Sequence, residues 1–442
     1  MRIRCLVVAV ALLLVVVVPV RSQSTARSSL IRVGRLLDVR AGTYRVDQGI
    51  LVEGDRIRQV GAFDAIKAGT PKDATLLDLG RLTVLPGLID CHAHLLDGMD
   101  PENGPGDNLV LTIVTEPPTK RALRGAAMAR EVLDGGFTTV RNVGHSGVDG
   151  DVSLRDAIRS GWIPGPRIAA TARKIAPHGG QALRVQTGLA TAILDQEFLT
   201  ASNPDEGRRA VLENLRIGAD VIKVVADDWP RVIGEDTLKA IVDEAHRVSV
   251  RVAVHATTKL GIQTAIAAGV DSIEHGDEAT DDQLKAMQSK GIVLVPTMWP
   301  REMLPVPRAL RARPDLEALI DKFVAGERSK LDRARNAGVK IAFGSDMWFG
   351  FPDKTRGQAT RLLLEALQPF GMSSIDALRT ATVTAAELIN VSDSVGTLES
   401  GKYADVIAVD GDPLANLKEL EKVVFVMKGG IVIRNEASRA PQ

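Results

Sequence analysis

From Val84 to residue 392 the chain repeats one local pattern eight times: a short apolar run with strand character, then a longer stretch of helical periodicity. The apolar runs are Gly87–His94, Thr138–Val143, Arg167–Thr171, Asp220–Ala226, Arg251–Ala256, Asp271–His275, Val293–Met298 and Lys340–Ser345. Helical stretches such as Thr237–Val248, Leu260–Ala268 and Asp281–Lys290 lie between them. Strand and helix in alternation imply parallel strands joined by crossovers, and eight such units close into a (β/α)₈ TIM barrel of the α/β class. Runs such as Val221-Ile222 and Val224-Val225 suit a strand buried on both faces.

The flanks differ. Leu30–Leu37, Ile50–Glu53, Arg56–Val60 and Thr75–Asp78 are short strands before the barrel. After a helix near Ser374–Asn390, strand character returns in Gly396–Leu398, Ala404–Val409 and Val423–Ile433. The two ends are expected to pair as one discontinuous small β-sandwich. The expected domains are a signal peptide at 1–22, β-domain parts at 23–83 and 393–442, and a metal-dependent barrel at 84–392.

Arg2 and Arg4 precede an apolar run of 16 residues, Cys5–Val20, followed by Arg21, Ser22, Gln23 and Ser24. This is the form of a secretory signal. The run is short against the ~20 residues that span a bilayer, so export to the periplasm or medium is expected, with no stable membrane anchor and a cut near Ser22. Loss of residues 1–22 leaves a net charge of −3 and a single cysteine, Cys91, so no intramolecular disulfide can form. A chain so evenly charged has no electrostatic case for nucleic acid. Its few aromatics, 3% of residues, require an aliphatic core.

Four of the seven histidines, with one lysine and one aspartate, fall at or near C-terminal strand ends, the face where barrel enzymes carry their sites. His92 and His94 are two apart and so share one face of the first strand, with Cys91 turned outward as a packing residue. His255 closes the fifth run, His275 the sixth, and Asp346 follows the eighth. Lys223 lies inside an apolar strand, where a lysine is expensive unless paired or neutralised. It either pairs across the barrel, for instance with Asp346, or carries a depressed pKa and takes up carbon dioxide as a carbamate. The five companions favour the carbamate.

Leu85-Pro86-Gly87-Leu88-Ile89-Asp90-Cys91-His92-Ala93-His94 resembles the first metal motif of the amidohydrolase superfamily. Gly218-Ala219-Asp220-Val221-Ile222-Lys223-Val224, Val254-His255-Ala256, Ser272-Ile273-Glu274-His275-Gly276 and Gly344-Ser345-Asp346 resemble its later motifs in order, and the segment from Gly396 to Val406 resembles its closing β segment. The nearest-looking branch is the binuclear one that includes imidazolonepropionase-like and Xaa-Pro-dipeptidase-like hydrolases. The resemblance implies two Zn²⁺ (Mn²⁺ or Co²⁺ in the same donors). His92, His94 and Asp346 would hold one ion and His255 and His275 the other, with carboxylated Lys223 and a hydroxide between them. Asp346 would act as general base and then general acid on an amide bond.

Relatives carry Gly-Gly-His after the third strand, whereas this chain has His178-Gly179-Gly180; His178 is therefore weighed equally as a catalytic residue contacting the substrate carbonyl and as a loop histidine. His145 is expected to be a solvated loop residue and His246 to face solvent. Trp229, Trp299, Trp348, Phe349 and Phe351 follow strand ends and form the expected ring-binding pocket, with Arg173, Arg184 or Lys259 as possible cations for a substrate carboxylate. The expected partner is a small molecule such as a dipeptide or N-acyl amino acid. The alternatives are a mononuclear lactam hydrolase or deaminase, and a non-catalytic binding scaffold. Oligomeric state is open, a homo-oligomer included.

Overall fold

The computed structural model describes residues 28–99, 105–178, 181, 185–228, 231–351 and 353–437; the expected leader lies outside them. Strands Leu88–Ala93, Phe137–Asn142 and Arg167–Ala169 pair in parallel. Lys174–Ala176, Val221–Val225, Arg251–Ala256, Ser272–His275 and Val293–Val295 form a second parallel run. The eighth position is irregular: parallel bridges Leu294–Ile341 and Ala93–Met347 join it to the seventh and first strands and close the ring.

The third strand departs from expectation. It ends at Ala169, breaks where Ala172 adopts φ 56°, and resumes at Lys174–Ala176 against the fourth strand. The left-handed residue shifts which side chains face inward: Lys174 turns to the barrel mouth and Arg173 to the helices.

Along Val221–Val225 all five residues are buried. Ile222 and Val224 join the core under the helices, while Lys223 faces the barrel interior. The helices are delimited by local chemistry. Asp281–Lys290 opens on a capping box between Thr280 and Gln283 and stops at Gly291, whose φ of 70° disfavours a side chain. No helix among the described residues is long and apolar enough to cross a membrane.

Both chain ends build one seven-stranded sheet in the order Ile431–Asn435, Val423–Lys428, Val406–Val409, Thr75–Pro86, Ser28–Asp38, Thr43–Glu53, Arg56–Ala62. Only the Ser28–Asp38/Thr75–Pro86 pair is parallel. Bulges in these long strands let the sheet curl on itself, so Ile31, Val33, Ile50 and Val52 share one core with Val406, Ala408, Phe425 and Met427. Gly396–Leu398 forms no strand, although Leu398 is buried in that core. Phe425 is fully buried there. Phe425→Ala is expected to lower stability by about 3–5 kcal/mol, measured by denaturant unfolding.

Candidate metal centre

The side chains of His92, His94, Lys223, His255, His275 and Asp346 all line one cavity of about 420 Å³ at the C-terminal mouth of the barrel. His92 lies 5.2 Å, ring centre to ring centre, from both His94 and His275, and His255 lies 4.5 Å from His275. Asp346 Oδ1 is 3.1 Å from His94 Nε2 and 3.4 Å from His92 Nε2, and its Oδ2 is 3.9 Å from His275 Nδ1. The Lys223 amine is buried among them with no hydrogen-bond partner.

Burial holds His92, His255 and His275 well below the usual imidazole range, helped by Lys223 and by neighbouring histidines. They are neutral donors with lone pairs available. The rings are also oriented. His92 Nδ1 donates to Glu274 Oε2 at 2.7 Å, which leaves the Nε2 lone pair pointing at Asp346. His94 Nδ1 donates to the Gly144 carbonyl at 3.1 Å, and His275 Nδ1 meets Thr297 Oγ1 at 2.7 Å. Glu274 is itself fixed by the Arg141 guanidinium and the Ser272 hydroxyl, so its charge is answered inside the barrel. Such partners set ring orientation and raise ligand basicity. Burial lowers the Lys223 amine to about 8.

His275, Thr297 and Asp346 have left-handed φ values of 69°, 48° and 50°. Non-glycine residues hold such angles only where surroundings over-determine them, commonly at functional sites. Asp90 supplies one constraint: it accepts from the amides of His92 and Ser345 and from the Ser345 hydroxyl, tying the first strand to the eighth. Gly344 supplies another, since a Cβ there would lie 2.5 Å from His92 Cβ and from Val295 Cγ1. Gly344→Ala is expected to displace His92 and weaken metal binding by about 10–100-fold, read by competition with a chelator.

Several other expectations need correction. His178 is exposed and does not line the cavity; the residue that does so after Gly179-Gly180 is Gln181. His145 is not solvated. It is largely buried beside His94, with its ring nitrogens near Lys174 and Asp97. Arg173 pairs with Glu213 and donates to the Asp195 carbonyl, away from the cavity. Trp299 and Phe349 are buried and stacked on each other at 5.3 Å, so their faces are occupied; Trp348 alone of the described tryptophans lines the cavity. Trp229 and Arg184 lie outside the described residues. His246 is partly exposed, as expected, and paired with Asp271. Burial pushes the Cys91 thiol up to about 12, in keeping with a packing role.

The Amidohydrolase family model matches residues 83–433. The chain belongs to the amidohydrolase family. It is 30% identical to the ochratoxinase of Aspergillus niger across 93% of this chain and 88% of that protein. It is 26% identical to an imidazolonepropionase of Erwinia tasmaniensis across 87% of this chain and 92% of that one. A Xaa-Pro dipeptidase crystallised with methionine in its active site superposes with TM-score 0.78 at 28% identity, covering 92% of this chain and all of the other. This amidohydrolase is therefore a metal-dependent hydrolase acting on amide bonds of small molecules. Its donors fit the family's divalent metals: neutral imidazoles, a carboxylate and a buried amine without a partner converge on one cavity.

Proposed function

We propose that this amidohydrolase holds two zinc ions and cleaves the amide bond of a dipeptide or N-acyl amino acid. His92, His94 and Asp346 would hold one ion, His255 and His275 the other, and Lys223 would serve both as a carbamate formed with CO₂. Manganese or cobalt would use the same donors.

One observation carries the reading. The Lys223 Nζ is buried, lacks a hydrogen-bond partner and lines the cavity with the four histidines and Asp346. A carbamate replaces an unpaired cation with an anion of two donor oxygens, which the bound ions would satisfy. A mononuclear deaminase has no use for a lysine there, and a binding scaffold has no use for six metal donors.

When bound, the ions lower the pKa of a ligated water and polarise the scissile carbonyl. The protein does the rest. Glu274 and Thr297 hold the rings of His92 and His275. Asp346 reaches His94 with Oδ1 and leans toward His275 with Oδ2, partly open to the cavity. From there its carboxylate takes a proton from the attacking water and delivers it to the departing nitrogen. The apolar wall of Met99, Leu109 and Trp348 excludes water and receives a substrate side chain.

The test is metal analysis with a substrate screen. Two equivalents of metal are expected in the purified, metal-loaded enzyme, with turnover among dipeptides or N-acyl amino acids and loss of activity on chelation. One equivalent with ammonia release would favour the deaminase, and turnover confined to lactams or esters would overturn the substrate class. We also propose export, supported by Arg2, Arg4 and the Cys5–Val20 run; mass spectrometry of the exported protein should find a chain starting near Ser22.

A further inference from the structure

The cavity holds a second buried amine that the hydrolytic step does not use. Lys174, on the resumed part of the third strand, is 1% exposed, yet its side chain lines the cavity with Lys223, Asp346 and Trp348. Its stem lies against Gly144, where a Cβ would come within 2.6 Å of Lys174 Cγ; the glycine's absent side chain gives the lysine its path.

The surroundings of Nζ define what it can still bind. It is 2.8 Å from His145 Nε2 and 2.7 Å from Gln181 Oε1, and it sits 4.7 Å from the centre of the Phe198 ring. A histidine nitrogen accepting from an ammonium must carry its hydrogen on the other nitrogen. Here that is Nδ1, facing Asp97 Oδ2 at 3.4 Å. The Asp97 pocket is further closed by the Arg121–Glu197 ion pair, and Arg121 also donates to the His145 carbonyl. With Lys174 as an ammonium, His145 Nε2 is the acceptor of this contact. Of three ammonium N–H groups, one goes to His145 and one to Gln181, and the third is left for the cavity.

Among the described residues no carboxylate lies within ion-pair distance of Nζ. Both protein partners are neutral, and a buried cation without an anion is costly. Of the two acids that line the cavity, Asp228 is engaged by Arg231 at 3.2 Å and Asp346 lies against His92 and His94. The missing partner is an anion that enters with the substrate.

We propose that Lys174, held by His145 and Gln181, binds the substrate's carboxylate and makes the enzyme select N-acyl amino acids and dipeptides over their neutral carboxamides. The assignment rests on the amide-hydrolase reading above and adds to it the residue that recognises the acid. A carboxylate oxygen accepting the third N–H forms a charge-assisted bond to a buried amine, and such bonds discriminate strongly.

The experiment compares wild type, Lys174→Met and Lys174→Arg, all metal-loaded. Calorimetry measures binding of N-benzyl-L-phenylalanine and its carboxamide, which lack the scissile carbonyl. Kinetics measures N-benzoyl-L-phenylalanine and its carboxamide. Wild type is expected to prefer the acid by about 100-fold in both measurements. Lys174→Met is expected to bring that ratio near one, mainly through KM, and Lys174→Arg to retain part of it. Met fills the stem's volume and buries no charge, and metal content and circular dichroism verify its fold. A wild-type ratio near one, or a methionine variant that weakens acid and carboxamide equally, would overturn the proposal. If no amide is hydrolysed but calorimetry shows the Lys174-dependent preference, the proposed reaction fails and this inference stands. If amides are cleaved with equal ease as acid or carboxamide, the reaction stands and this inference fails.

Discussion

Lys223→Ala is expected to lower kcat/KM on an amide substrate by at least about 10³-fold and to reduce bound metal from two equivalents to one or none. Metal polarisation of a carbonyl contributes several kcal/mol to transition-state stabilisation, and each 1.36 kcal/mol is a factor of about ten. Without the lysine the two halves of the ligand set, three residues on one side and two on the other, lose the group that would join them. The structure supplies the controls. Lys223 lies on a strand whose five residues are all buried, and alanine or methionine there removes a buried charge, so the variants should fold; circular dichroism checks this. Lys223→Glu returns a carboxylate on a shorter stem and should recover part of the metal content. Bicarbonate-free buffer should slow reconstitution of the wild-type apoprotein and leave the glutamate variant unaffected. Lys223→Ala with two equivalents of metal and near-wild-type turnover would refute the carbamate.

The second large effect is expected at Asp346. Asn has the same shape but is a weaker metal donor and cannot carry a proton between water and amine. A positioned acid–base group is worth about 10²–10⁴ in rate, so Asp346→Asn should lose about 10⁴-fold in kcat on an alkylamide. The diagnostic is the leaving group. A p-nitroanilide departs with little need of protonation, so its loss should be smaller by about tenfold or more. Equal losses on both substrates would show that Asp346 acts as a ligand alone.

The six candidate donors that share the cavity were legible because each is locally marked. His92 and His94 share a strand face by simple alternation, and Lys223 is conspicuous in Val221-Ile222-Lys223-Val224-Val225. What failed depends on events that alternation does not encode. Ala172 takes a left-handed turn inside the third strand, so the strand assigned to Arg167–Thr171 ends early and Lys174 goes unnoticed, although it sits beside Ile175 and Ala176 much as Lys223 sits among valines. His145 looked like a loop residue because its cover comes from Arg121 and Glu197, distant in sequence. Glu274 stood in a quoted motif without a role, since its work depends on meeting His92 across the barrel. Of the aromatic residues named, Trp348 lines the cavity, whereas Trp299 and Phe349 spend their surfaces on each other.

The seven-stranded sheet has a consequence for the chain's synthesis. Its two halves are separated by the whole barrel, and the Thr75–Pro86 strand receives its partner Val406–Val409 only after the barrel has been translated. Until then an apolar strand edge stands open, the kind of surface that recruits other chains into aggregates. Pairing so distant in sequence is slow to form. The barrel can gather its neighbouring strands early, but the sheet has to wait for the segment that follows the barrel. A ribosome stalled anywhere in the barrel therefore releases a chain with an unsealed edge, and premature termination would be more damaging here than in a protein whose sheet closes locally.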